Sequence, residues 1–85
     1  MNYMVVWNIS RENFKPAVAR FKKNAPLPKG LALLGRWHAL GSGEGFSLMR
    51  TDDPVALSEY VASWADLVDI SVVPVVDDAQ MLKAL

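Results

Sequence analysis

Apolar positions along this chain switch between a period of two, which marks strands, and a period near 3.6, which marks helices. From Tyr3 to Ile9, Tyr3, Val5, Trp7 and Ile9 alternate with Met4, Val6 and Asn8, which predicts a first strand rich in β-branched and aromatic residues. Ser10 then offers an N-cap, with Ile9 and Phe14 placed as a hydrophobic staple. A helical stripe follows at Phe14, Ala17, Val18, Phe21 and Ala25. Pro16 lies too deep in a helix capped at Ser10, because it removes a helix hydrogen bond. Either the helix bends there, or Asn13 is the cap and Pro16 belongs to the first turn. Asn24–Gly30 is a breaker-rich connection. Leu31–Leu40 predicts a second strand, Gly41–Gly45 a flexible turn, and Phe46–Thr51 the returning strand of a hairpin. Asp52-Asp53-Pro54 is a helix start, with Leu57, Val61, Trp64 and Val68 at helical spacing and Ala56 and Tyr60 beside them. Asp69–Val76 predicts a fourth strand whose Pro74 belongs at an edge or a break. Asp77-Asp78 caps a last short helix with Met81, Leu82 and Leu85 on one face.

The order β-α-β-β-α-β plus a terminal helix predicts an α+β, ferredoxin-like domain over residues 1–85, a four-stranded antiparallel sheet with both long helices on one face. Such a sheet should show polar residues on its open face. Here both faces are apolar: Met4 and Val6 oppose Val5 and Trp7, Leu33 and Trp37 oppose Leu34 and Leu40, and Ile70 and Val72 oppose Val73 and Val75. The expected cover for the second face is the same face of another copy, giving a homodimer. Composition points the same way. The chain has 85 residues and is 52% apolar, while a domain of this size buries only about 60–65% of its extended surface.

Net charge is zero but unevenly spread. Residues 1–36 carry seven basic groups and one acid, and residues 37–85 two basic groups and eight acids. That polarity suits two solvated helices of opposite sign, the steering of a charged ligand, or two copies whose opposite ends meet. There is no cysteine, so disulfide and thiol chemistry are excluded and a cytoplasmic location is expected. No apolar run approaches the ~18–20 residues of a spanning helix, and Met1–Ile9 has neither the basic start nor the cleavage site of a signal peptide. No membrane association is expected.

Candidate chemistry concentrates in Gly35-Arg36-Trp37-His38. Strand alternation places Arg36 and His38 together, with Leu34 and Leu40, and Gly35 and Trp37 on the other side. A guanidinium that holds an anion beside an imidazole that moves a proton makes Arg36 and His38 the candidate catalytic pair. The alternative is structural: Arg36 paired with an acid such as Glu44 or Asp69, and His38 bonded to a carbonyl. Trp7, Trp37 and Trp64, with Tyr3 and Tyr60, are candidate walls for a flat apolar ligand, and equally suit plain core. The glycine-rich turn lies between two strands and lacks the following helix of a phosphate loop; beside His38 it could gate a site. One histidine, no cysteine and carboxylate pairs already used as caps give no metal set, and no cofactor is expected. The strand aromatics do not form an RNP pattern, so no nucleic-acid partner is expected.

Tyr3-Met4-Val5-Val6-Trp7, Leu33-Leu34-Gly35-Arg36-Trp37-His38, Gly41-Ser42-Gly43, Trp64-Ala65-Asp66-Leu67 and Pro74-Val75 resemble a family of small bacterial domains of unknown function. The resemblance covers nearly the whole chain, with Gly-Arg-Trp-His its most specific part. It implies a dimeric α+β barrel and brings no activity. The wider superfamily includes cofactor-free monooxygenases, muconolactone isomerase-like enzymes and haem-degrading enzymes; none of their catalytic motifs occurs here, so no residue role is carried over. Two functions follow as expectations. One is a homodimer that binds a small aromatic or carboxylate-bearing molecule, with cofactor-independent catalysis by Arg36 and His38. The other is a non-catalytic dimerisation or interaction module.

Overall fold

Strand and helix boundaries fall close to the changes in hydrophobic period. The computed structural model describes residues 1–85 and contains strands β1 (Asn2–Ile9), β2 (Ala32–His38), β3 (Glu44–Arg50) and β4 (Val68–Val75). Helices α1 (Phe14–Lys23) and α2 (Pro54–Trp64) make the two crossovers, and α3 (Asp78–Ala84) ends the chain. The sheet is antiparallel throughout, in the order β2-β3-β1-β4. Each crossover skips one strand, which defines the ferredoxin-like α+β topology. None of the helices is long and apolar enough to cross a membrane.

Local chemistry explains the helix ends. A short 3₁₀ turn, Arg11–Asn13, separates Ser10 from α1, and Ser10 makes no side-chain cap. Pro16 therefore falls in the first turn of α1, where its missing N–H costs nothing. The Asn13 side chain donates instead to the carbonyl of Leu67 at 3.2 Å, tying the start of α1 to the approach to β4. Asn24 stops α1 in the left-handed conformation, φ 49°, so Ala25 lies outside the helix and is exposed. At α2 the Asp53 carboxylate accepts from the Val55 amide at 3.0 Å, with Pro54 at the first helical position. Val68, expected on this helix, instead begins β4. A reciprocal capping box of Asp77 and Gln80 starts α3, all of whose residues are exposed.

Both long helices cover one face of the sheet. Val5 and Met49 from that face pack with Leu31 and with Ala56 and Leu57 of α2 to form the buried core. The thinnest dimension of the molecule is 17 Å. That fits one sheet and one helix layer about 10 Å apart. Cross-strand register puts Met4, Val6, Phe46, Leu48, Trp37 and Val73 on the other face. No layer of this chain covers them.

One strand departs from plain alternation. In β2, Leu33 pairs with Met49 and Gly35 with Leu48, so Leu34 is a bulge. Arg36 and His38 consequently share the helix side with Leu33. The expected grouping with Leu34 and Leu40 is corrected: Leu34 is out of register, and Leu40 lies beyond the strand, fully exposed. Pro74 sits in β4, an edge strand, as its missing donor requires.

Candidate functional site

The site begins with a glycine. Gly45 of β3 faces Trp7 of β1, and a Cβ there would run into the indole ring. The bare backbone lets Trp7 lie across the sheet on the helix side. Its Nε1–H donates to the buried Ser47 hydroxyl at 3.4 Å. His38, paired with Gly45 from the other strand, meets Trp7 edge-on, with ring centroids 5.3 Å apart at 69°. Phe21 of α1 meets the same imidazole at 5.8 Å and 77°. His38 is thus held by aromatic edges, and it is exposed on its remaining side.

Arg36 lies beside this cluster. Its Nη2 donates to the Tyr60 hydroxyl at 3.3 Å, and its guanidinium carbon stands 5.2 Å from the centre of the Phe21 ring. The ion pairs of the chain are Met1 with Asp52 and Arg20 with Asp66, so no carboxylate neutralises Arg36. A guanidinium presents five N–H donors in a planar fork, and one phenol hydroxyl engages a single donor. The rest are available to a planar anion.

These groups line a cavity of about 990 Å³ between α1, the covered sheet face and the Ala39–Gly43 loop. Trp7, Arg36, His38, Tyr60 and Trp64 all contribute to its wall. A smaller cavity of about 410 Å³ lies toward the Pro26–Pro28 loop and shares Phe21, Arg36, Tyr60 and Trp64 with the first. The tip of the hairpin is tied down: the Ile9 amide donates to the Gly43 carbonyl at 2.8 Å, and a side chain at Gly43 would collide with the Ile9 carbonyl. The turn expected to be flexible is therefore anchored at its second half.

Trp64 is fixed from outside the cavity. Arg20 stands 5.6 Å from its ring, makes two hydrogen bonds to Asp66 at 2.7 and 2.9 Å, and donates to the Ser63 carbonyl at 2.8 Å. The hydrogen bonds from Arg20 hold the Asp66 carboxyl below the usual carboxylate range, and the Arg20 guanidinium is raised in turn. This clamp joins α1 to the end of α2 along one rim of the cavity.

Of the residues expected from sequence, the fold brings Arg36, His38, Trp7 and Trp64 to one cavity and leaves Trp37 out. Trp37 lies on the open face, 55% exposed, folded back over Gly35. Its separation follows from alternation, since it sits between Arg36 and His38 on the strand. Phe21 joins the site unforeseen. Its helical spacing marks it as a core-facing residue, and nothing local in the sequence announces that it lands on Arg36. Tyr60, foreseen only as an aromatic wall, also supplies the hydroxyl that Arg36 engages. No three histidine, aspartate or glutamate side chains cluster in a way that would hold a metal ion.

A small α+β domain with an aromatic-walled cavity on the covered side of its sheet is the class that fold and site define. The chain belongs to the family described as "Domain of unknown function (DUF3303)", whose model matches residues 1–85. No curated protein and no solved structure matches it.

Proposed function

We propose that this protein is a homodimer in which each subunit binds a small aromatic, carboxylate-bearing molecule in the cavity between α1 and the sheet. The observation that carries the reading is Arg36: an arginine on a cavity wall, oriented by Tyr60 and Phe21 and lacking a carboxylate partner. A bidentate carboxylate is its natural complement, and the apolar wall of Trp7, Phe21 and Trp64 suits a flat ring. His38, beside Phe21 on the same wall, would then move a proton to or from the bound molecule, with no cofactor required. The second copy covers the open sheet face.

Native mass spectrometry of protein purified gently from its own host tests both parts. The expected species is a dimer with one small adduct per subunit. Titration with benzoate, read by Trp7 and Trp64 fluorescence, should give binding that Arg36→Gln removes and His38→Ala retains. Absence of any adduct, together with benzoate binding indifferent to Arg36, would sink the ligand reading. The open apolar face favours a second reading, a non-catalytic dimerisation or interaction module; a clean dimer with no adduct and no benzoate binding is its signature.

A further inference from the structure

The open face of the sheet is ordered by charge from one end to the other. Cross-strand pairing sets Asn2, Arg50, Val75 and Ala32 in one row, and Asn8, Glu44 and Asp69 in the row at the opposite end. Between them lie two rows that are almost wholly apolar: Met4, Leu48 and Val73 with Gly35, then Val6, Phe46 and Trp37 with Ser71. Arg50 is the one charge of the first row, and Glu44 and Asp69 are the charges of the last. Arg50 and Glu44 are six residues apart on β3, about 20 Å at strand rise. All three are exposed, and none forms an ion pair within the chain. Asp77, the nearest acid beyond Val75, is occupied as the cap of α3.

Two aligned sheets facing each other across a two-fold axis have two arrangements. With the axis along the strands, strand direction is kept and like rows meet, Arg50 end on Arg50 end. With the axis across the strands, direction reverses, and the Arg50 row of each copy covers the acidic row of the other, twice by symmetry. The apolar rows meet in either case, so charge decides. We infer that the second copy docks on this face with its strands reversed. An axis across the strands sets each strand over itself, so Arg50 of each subunit pairs with Glu44 of the other. Asp69, two strands away in the same row, adds to the field without touching Arg50. The inference rests on the reading that a second copy covers the open face, and adds which way round it sits.

Equilibrium sedimentation of four variants tests it. Arg50→Glu and Glu44→Arg should each weaken the dimer by about tenfold or more, since each sets like charges face to face. The double variant, Arg50→Glu with Glu44→Arg, should return to within about threefold of the parent. Mixed in equal amounts, the two single variants should form heterodimers in preference to either homodimer by native mass spectrometry. Leu48→Glu, in the middle of the face, should give a folded monomer by circular dichroism and sedimentation. Single reversals without effect, or a double variant weaker than both, overturn the orientation alone. A parent that is monomeric at micromolar concentration, or a Leu48→Glu variant still fully dimeric, overturns the docking as well.

Discussion

Each face of the sheet carries a tryptophan lying over a glycine, and the two pairs behave differently because of what lies above them. On the helix side, Trp7 covers Gly45, bonds to Ser47 and packs against His38. On the open side, Trp37 covers Gly35 beside Phe46 and is left 55% exposed. The same device therefore closes one surface into a cavity wall and leaves the other as a broad apolar plate. Large exposed apolar patches mark interaction surfaces. The covered face gathers Arg36, His38 and Tyr60 around one cavity, and the open face presents its apolar rows to solvent.

Adjacent residues on β3 break this comparison most sharply. Met49 is fully buried on the covered face, and Leu48 points to the open one. Met49→Ala should cost about 3 kcal/mol in urea unfolding of the single chain at low concentration. Leu48→Ala should cost below about 1 kcal/mol in the same experiment, and its effect should appear in the dimer dissociation constant instead. Equal losses of chain stability would mean that the open face is not open.

The glycines come next in size. At Gly45 a methyl group displaces Trp7 from Ser47 and His38 together, so Gly45→Ala should destabilise by about 2 kcal/mol. At Gly35 it displaces only the far end of an exposed ring, and the chain should lose about 0.5 kcal/mol or less. Thermal melts of the two variants, with Trp7 and Trp37 resolved by indole NMR, check which ring moved.

How much of this was legible in sequence depends on whether the signal is local. Caps and breakers are local: Asp53-Pro54, Asp77 with Gln80, and the glycines of the hairpin act within a few residues, and the elements they bound were readable in order. The bulge at Leu34 is not local. Leu31–Leu40 is apolar enough to alternate either way, and the register is chosen by Leu48 and Met49 across the ladder. Arg36 and His38 share a face in any register, so that pairing was readable, whereas the face itself was not. Phe21 over Arg36 depends on how α1 crosses the sheet, which neither segment encodes alone. Residue type groups Trp37 with Trp7 and Trp64, whereas alternation within its own tetrad separates it.

At the cavity the comparison is between burial and availability. His38 touches two aromatic edges yet is exposed, so His38→Ala should change stability by about 1 kcal/mol or less in chemical denaturation. A loss of several kcal/mol would make the imidazole a structural part of the aromatic cluster and remove it from the proposed chemistry. Arg36→Gln should be as mild for stability, because its hydrogen bond to Tyr60 and its contact with Phe21 are both partly exposed, while benzoate binding disappears.

The smallest effect belongs to the clamp at the cavity rim, and its sign is fixed by the direction of the Asp66 shift. In the folded chain Arg20 holds the Asp66 carboxyl below its ordinary value. The unfolded chain therefore takes up the proton first as pH falls. The stabilisation is fully present above the ordinary carboxylate value of about 4 and fades as pH drops through the lower, folded value. Both partners are solvent-accessible, so screening by salt should shrink the effect. Urea midpoints measured against pH should fall more steeply below about pH 4 for the parent than for Asp66→Asn, and the two curves should converge at the acid end. Because Arg20 also lies against Trp64, the variant should in addition loosen that indole and shift its fluorescence at neutral pH, where the proton plays no part. A parallel pair of stability curves with unchanged Trp64 emission would show that the clamp does not hold the cavity rim, and that Trp64 is positioned by its helix alone.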